Sequence, residues 1–190
     1  MKRNTVIAFS FLFAVGFLGA QFSAAQTSAA DAAKAEKEKA MKNPYPNDLG
    51  PSTIEDVSSY TPEQQQGYKL LQAKCSVCHT PSRPLNSQFL DLKPEEIVAA
   101  KTSNPEIFKD KQIWQVEDGI WQRYIKRMMA KPGCNIPTED GKKIFKFITA
   151  YSKKVKTGAN TSKWAAHRKD LLAQFKEKYP ARYKELFETK

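Results

Sequence analysis

The chain has 190 residues, which is enough for one compact domain with extensions but small for two domains. It contains 31 Lys and Arg against 20 Asp and Glu, so its formal charge at pH 7 is +11. No helix-turn-helix or base-stacking pattern accompanies this charge, which excludes nucleic acid as the expected partner. A strongly basic protein is instead expected to associate with acidic protein faces or anionic lipid headgroups.

The N-terminus has the pattern of a secretory signal. A basic pair precedes an apolar run from Val6 to Ala20, and the small residues Ser23, Ala24 and Ala25 follow. This pattern predicts a signal peptide over residues 1–25, cleaved near Ala25, and an exported, periplasmic protein. The alternative is a retained membrane anchor, but the apolar run is shorter than the roughly 20 residues that a spanning helix needs.

Residues 26–60 are predicted to form a leader outside the folded domain. Residues 26–41 are rich in Ala, Lys and Glu without an apolar stripe, which is typical of a flexible or weakly helical segment. Residues 43–60 contain three prolines and one glycine among polar residues, which favours an extended and irregular backbone.

The folded domain is predicted over residues 61–152, and its first helix has a clear start signal. The sequence Thr61-Pro62-Glu63-Gln64 combines an N-cap hydroxyl, a proline at the first helical position and a capping-box glutamine. Apolar residues then recur on one side of this helix as far as Cys75.

Helical patterns also dominate the rest of the domain. Short helical segments are predicted at 94–99 and 104–106, a longer helix at 112–128 and a final core helix at 138–151. No alternating strand pattern of useful length is present, so the predicted fold class is all-α.

Residues 153–190 are predicted to form a basic helical C-terminal extension. Residues 152–190 hold eleven basic and four acidic residues, so most of the charge that remains after signal removal is concentrated there. His167 lies in a charged stretch of this extension and is expected to be a solvated surface residue. The extension is a candidate docking surface for an acidic protein face, a membrane complex or an anionic membrane.

The pentapeptide Cys75-Ser76-Val77-Cys78-His79 is the strongest chemical signal in the sequence. Two thiols three residues apart can add to the two vinyl groups of one haem, and the adjacent imidazole then becomes an axial iron ligand. A redox-active thiol pair would be expected in a βαβ setting, which is absent. A zinc site would need a further ligand, and the only other Cys and His, Cys134 and His167, are distant in sequence. The motif therefore predicts one covalently bound haem c.

From about Thr61 to Ser152 the chain resembles the class I mono-haem c-type cytochromes. In that family an N-terminal helix leads into the haem motif, and a C-terminal helix packs across it through a small residue and aromatic residues. Gly67 and Tyr68 match the first side of that crossing, and Phe147 and Tyr151 match the second. The resemblance implies a cytochrome c-like helical domain around one haem. Cys134 then has no partner, which leaves a buried thiol or an intermolecular disulfide.

The resemblance also points to the second iron ligand. The segment from Trp121 to Met128 is similar to a variant in which tryptophan is followed by an aliphatic residue and then Arg-Met, which implies Met128 as the distal ligand. Met129 is the alternative, although on a helix it faces about 100° away, so both cannot point at one iron. A bis-histidine iron with His167 is a further alternative.

Supporting roles follow from the same resemblance. A proline carbonyl after the motif is expected to accept the other ring hydrogen of His79, with Pro84 as the candidate and Pro81 as the alternative. Trp121 and Arg127 are expected to approach a haem propionate.

Ligation by both His79 and Met128 would fill all six iron positions, which favours electron transfer over catalysis. The expected protein is therefore not an enzyme but a periplasmic electron carrier, with redox proteins that have acidic docking faces as partners. One alternative is an open distal site for gas binding, peroxide chemistry or sensing. Another is a haem subunit docked on a membrane oxidoreductase complex.

Overall fold

The computed structural model describes residues 16–189, with side chains from residue 29 onward. Most of the predicted signal peptide, residues 1–15, lies outside the described residues. Within residues 16–189 the chain forms eight α-helices: α1 (Gly16–Lys42), α2 (Pro62–Cys75), α3 (Ser82–Leu85), α4 (Pro94–Ser103), α5 (Ile120–Met129), α6 (Thr138–Lys156), α7 (Thr161–Lys178) and α8 (Pro180–Phe187). No helix in this part of the chain is both long enough and apolar enough to cross a membrane.

The all-α prediction is confirmed for the described range, since only four residues are in strands. Strand β1 (Phe89–Leu90) and strand β2 (Gln115–Val116) pair in parallel, with Phe89 opposite Gln115. This short strand pair lies against α5 and α6, and its residue Phe89 lines a cavity that α5 also borders.

Helix α2 begins where the capping signal predicts. The Gln64 amide donates to Thr61 Oγ1 at 3.3 Å, and the Thr61 amide donates to Gln64 Oε1 at 3.0 Å. Each of these two side-chain oxygens therefore accepts from an amide that would otherwise lack a partner at the helix start. The helix runs to Cys75, so its last residue is the first residue of the haem-type motif.

The predicted crossing of the first and last core helices is present between α2 and α6. Gly67 is buried, and a Cβ atom there would lie 2.2 Å from the Lys143 carbonyl oxygen and 2.8 Å from Phe147 Cβ. Phe147 packs against Tyr60 and Tyr68 with ring centroids 5.5 Å and 5.2 Å apart. The absence of a side chain at Gly67 is what allows the two backbones to approach.

Gly67→Ala is expected to lower the free energy of unfolding by about 3 kcal/mol, because the added methyl group would overlap the backbone of α6. Urea unfolding followed by circular dichroism would measure the loss. Gln66→Ala changes the neighbouring exposed residue of the same helix and is expected to leave stability within about 0.5 kcal/mol. Equal stability of the two variants would contradict the close crossing.

The longer helix predicted at 112–128 was wrong at its start, because α5 begins only at Ile120. Gly119 adopts a left-handed conformation with φ +65° at the N-cap. The Asp91 carboxylate accepts from the Gly119 amide at 2.9 Å and the Trp121 amide at 3.0 Å, which fixes the helix start. Ile113 instead belongs to a second apolar cluster with Trp164.

The segment predicted as a leader is packed on the domain. Residues 26–42 belong to α1, and residues 43–60 are largely irregular, as predicted, but include a 3₁₀ turn at Pro46–Leu49 with buried Asn47. Asp48 pairs with Arg83 at 2.6 Å, with both side chains largely buried. This segment therefore contributes to the protein interior.

The C-terminal extension is helical, as predicted, with α7 and α8, and it is joined to the domain through Arg168. Arg168 is 1% exposed. Its guanidinium donates to the Gln112 carbonyl at 2.7 Å, to Asn47 Oδ1 at 2.7 Å and to the Asn86 carbonyl at 2.9 Å. The prediction of a solvated His167 was wrong, because this residue is half-buried with Nε2 3.0 Å from Asn86 Oδ1.

Arg168→Met is expected to lower the free energy of unfolding by about 3 kcal/mol, since it leaves three buried acceptors without their donor at about 1–3 kcal/mol each. It should also expose α7 to limited proteolysis. Lys169→Met removes the same charge from the adjacent exposed position and serves as the control. Equal protease resistance of the two variants would show that Arg168 does not hold the extension in place.

Candidate functional site

His79 lies directly after α2 and is buried, with 8% of its surface exposed. Its Nδ1 is 2.9 Å from the Thr80 carbonyl oxygen. A carbonyl can only accept, so Nδ1 carries the proton and Nε2 keeps its lone pair free. Burial lowers the pKa of His79, and the neutral imidazole is therefore favoured. A neutral ring with one free nitrogen is the form that binds a metal ion.

The expected hydrogen bond from His79 to Pro84 or Pro81 is absent, because Nδ1 uses the Thr80 carbonyl. The carbonyls of both prolines are engaged in the following turn. Pro81 accepts from the Leu85 amide at 3.3 Å, and Pro84 accepts from the Ser87 amide at 3.4 Å. The Thr80 carbonyl, which also accepts from the Arg83 amide at 3.2 Å, takes the place that the resemblance assigns to a proline carbonyl.

A cavity of about 530 Å³ brings several predicted site residues together. Cys78, His79, Arg127 and Met128 all line it, and Tyr124 forms part of its wall. The volume lies within the range of small-molecule and cofactor sites. The motif and α5, about 50 residues apart in sequence, therefore face one space.

A second, much smaller cavity of about 20 Å³ lies next to the main cavity. It borders Cys75, Pro84 and Trp121, and it shares Tyr124 and Met128 with the main cavity. The first-choice site residues thus each border one of two neighbouring cavities.

The two candidate methionines have different surroundings. Met128 borders both cavities, whereas Met129 borders neither of them. Met129 packs in the core cluster beside α6, and a Cβ atom at Gly141 would lie 2.8 Å from its sulfur. The helical rotation between adjacent residues places the two side chains in different surroundings.

Two buried polar atoms at the cavities have no hydrogen-bond partner among the described residues. One is Trp121 Nε1, on a fully buried ring that packs edge-on against Phe89 and Tyr124. The other is Ser87 Oγ, on a residue that lines the main cavity. Ser87 Oγ is therefore available to a group that occupies the main cavity, whereas Trp121 borders only the small cavity.

Cationic side chains outnumber acidic ones in the lining of the main cavity, and three of them, Arg83, Lys131 and Arg182, are paired with carboxylates. Five of its lining residues are cationic, and Glu36 is the acidic one among the described lining residues. The cationic residues are Lys39, Arg83, Arg127, Lys131 and Arg182. The sequence did not indicate Lys39 or Arg182, because they come from α1 and α8, which only the fold brings to this site.

The three cysteines are free thiols and lie near one another. Burial raises the pKa of Cys75 to about 12, and the neighbouring Cys134 and Cys78 add to this effect. Lys74 donates to the Asn135 carbonyl at 3.1 Å, which holds the Cys134 loop beside the end of α2. Cys134 is thus distant only in sequence.

The proximity of Cys134 bears on the zinc alternative. Within the part of the chain that the structure describes, no three His, Cys, Asp or Glu side chains are grouped so that they could hold a metal ion. A haem iron takes only two side-chain ligands, so this finding concerns a zinc site and not a haem site.

Comparison of the chain with protein-family models, with curated proteins and with solved structures found no match.

Proposed function

We propose that this protein is a mono-haem c-type cytochrome that carries electrons in the periplasm. Haem would be attached to Cys75 and Cys78, with the iron between His79 and Met128. The single observation that carries the proposal is that His79 and Met128 line one cavity together with Cys78.

The described residues fit such a group chemically. His79 offers a neutral imidazole with Nε2 free, and both motif thiols are unpaired. The haem propionates are two carboxylates, which match the cationic residues of the main cavity and the unpartnered Ser87 Oγ. When bound, haem supplies a one-electron iron couple.

The protein's own residues then favour transfer over catalysis. A thioether from Met128 in addition to the imidazole would leave no iron position for a substrate. The cavity is walled by Tyr124 and Phe89, whose packing against Trp121 restricts rearrangement on redox change. The residues therefore support an electron carrier rather than an enzyme.

Partner choice would rest on the basic extension. Helix α7 presents exposed lysines at positions 163, 169, 176 and 178. Acidic residues on this helix are fewer, so the face is positive, which favours fast association with a redox protein that has an acidic docking face. Docking on a membrane complex would use the same charge.

The test is to produce the full chain in a bacterium with a periplasmic haem-attachment system. The expected product is a periplasmic protein with one haem that survives denaturation, and its reduced form does not bind carbon monoxide. Absence of covalent haem under conditions in which a control cytochrome c matures would refute the proposal. Rapid carbon monoxide binding by the wild-type protein would favour the open-site alternative.

A further inference from the structure

The end of α6 contains a lysine in an unusual setting. Lys156 has 0% of its surface exposed. Its Nζ donates to Ser152 Oγ at 2.7 Å and to the Phe89 carbonyl. The same atom lies 4.6 Å from the ring centroid of Trp164 and 5.7 Å from that of Trp121. The ammonium group is thus enclosed by two indoles, a carbonyl and a hydroxyl.

No carboxylate neutralises this charge. Lys156 and the neighbouring buried Arg168 take part in none of the ion pairs formed among residues 29–189. Arg168 is the charged group that faces Lys156 from α7, and it repels it. A buried, unpaired lysine is unfavourable for folding, and an apolar residue of similar length would fill the space. A role other than stability would explain its presence.

The position of Lys156 indicates what that role is. Phe89, whose carbonyl accepts from Lys156, lines the main cavity. Trp121, whose ring Lys156 contacts, lines the small one. The ammonium group of Lys156 is therefore separated by one residue, Phe89, from the main cavity, in which the cofactor is proposed to bind. Burial, together with repulsion from Arg168, lowers the pKa of Lys156, and the cation–π contacts with both indoles oppose this effect by favouring the protonated amine.

We infer that Lys156 places a positive charge near the iron site and thereby raises the reduction potential of that site. This inference rests on the proposed function. The oxidised site carries one more positive charge than the reduced site, and repulsion from a nearby ammonium in a poorly solvated interior disfavours the oxidised form. Lys156 thus shifts the equilibrium of the one-electron couple toward the reduced protein.

The test is a potentiometric titration of the haem absorption of wild type, Lys156→Met and Lys156→Gln in mildly acidic buffer, because burial lowers the pKa of Lys156 and acid favours the protonated amine. Both variants are expected to shift the redox equilibrium about tenfold toward the oxidised form, which is about 59 mV for one electron. Gln retains a hydrogen-bond donor for the Phe89 carbonyl, so it separates charge from structure if Met does not fold.

Lys153→Met is the matched control. Lys153 lies one turn earlier on α6, its side chain is 44% exposed, and it pairs with Glu96. Removal of this screened charge is expected to change the equilibrium less than about twofold. If haem-loaded Lys156→Gln has the wild-type potential, the inference fails while the proposed function stands. If the wild-type chain carries no haem, the proposed function itself fails.

Discussion

Replacement of both Cys75 and Cys78 with alanine is expected to abolish covalent haem binding and to leave the exported chain without a cooperative unfolding transition. The domain between Thr61 and Ser152 is small, and its own core is expected to be marginal. Cys75 packs against the core cluster that contains Leu71, Trp121 and Phe147, so an attached cofactor would extend that core. A ligand that binds only the native state stabilises it, and its loss removes that contribution.

The measurement combines haem staining of a denaturing gel with thermal unfolding by circular dichroism. Cys134→Ala is the control, because it removes a thiol from the same neighbourhood without touching the motif. It should carry haem and unfold cooperatively. A native-like transition in the double-alanine variant would mean that the fold does not depend on the cofactor.

The parts of the site that the sequence predicts are those encoded locally. The cysteine spacing places His79 next to Cys78 regardless of the rest of the fold. The capping box sets the start of α2 from four consecutive residues. Adjacent positions on one helix turn separate Met128 from Met129. Short-range geometry was sufficient for each of these predictions.

The parts that the sequence did not predict depend on contacts between distant segments. The start of α5 is fixed by Asp91, which lies nearly 30 residues before the amides that it accepts from. The burial of His167 depends on Asn86, 81 residues earlier. A hydrophobic pattern records which residues are buried but not their partners, so Ile113 was assigned to the helix rather than to the second cluster.

The same long-range contacts change the view of the two chain extensions. Helices α1 and α8 contribute Lys39 and Arg182 to the cavity wall. Arg168 of α7 donates to Asn47, which also lines the cavity, and to the Asn86 carbonyl. Composition suggested a leader, because residues 26–60 lack an apolar stripe and contain several prolines, and a tail, because basic residues are concentrated in 152–190. In the structure Lys39 and Arg182 line the candidate site, and the extensions therefore form part of its electrostatic environment.

Met128→Ala is expected to open the distal iron position. Met128 is the methionine that borders both cavities, and alanine lacks the sulfur that would bind iron. The reduced variant should bind carbon monoxide, and the oxidised variant should lose the weak red absorption band of sulfur ligation. Its reduction potential should fall, since a thioether favours ferrous iron. Absorption spectra of both redox states, with and without carbon monoxide, provide the measurement.

Met129→Ala separates ligation from packing. Met129 contacts the core beside Gly141, so its truncation should lower the free energy of unfolding by about 2 kcal/mol and leave the spectrum unchanged. The opposite pattern, with sulfur ligation lost only in Met129→Ala, would assign the distal ligand to Met129. Retention of a low-spin, carbon monoxide-inert spectrum in both variants would point to His167, and His167→Ala would then have to open the site. Each outcome identifies one ligand, because the three side chains lie in different parts of the structure.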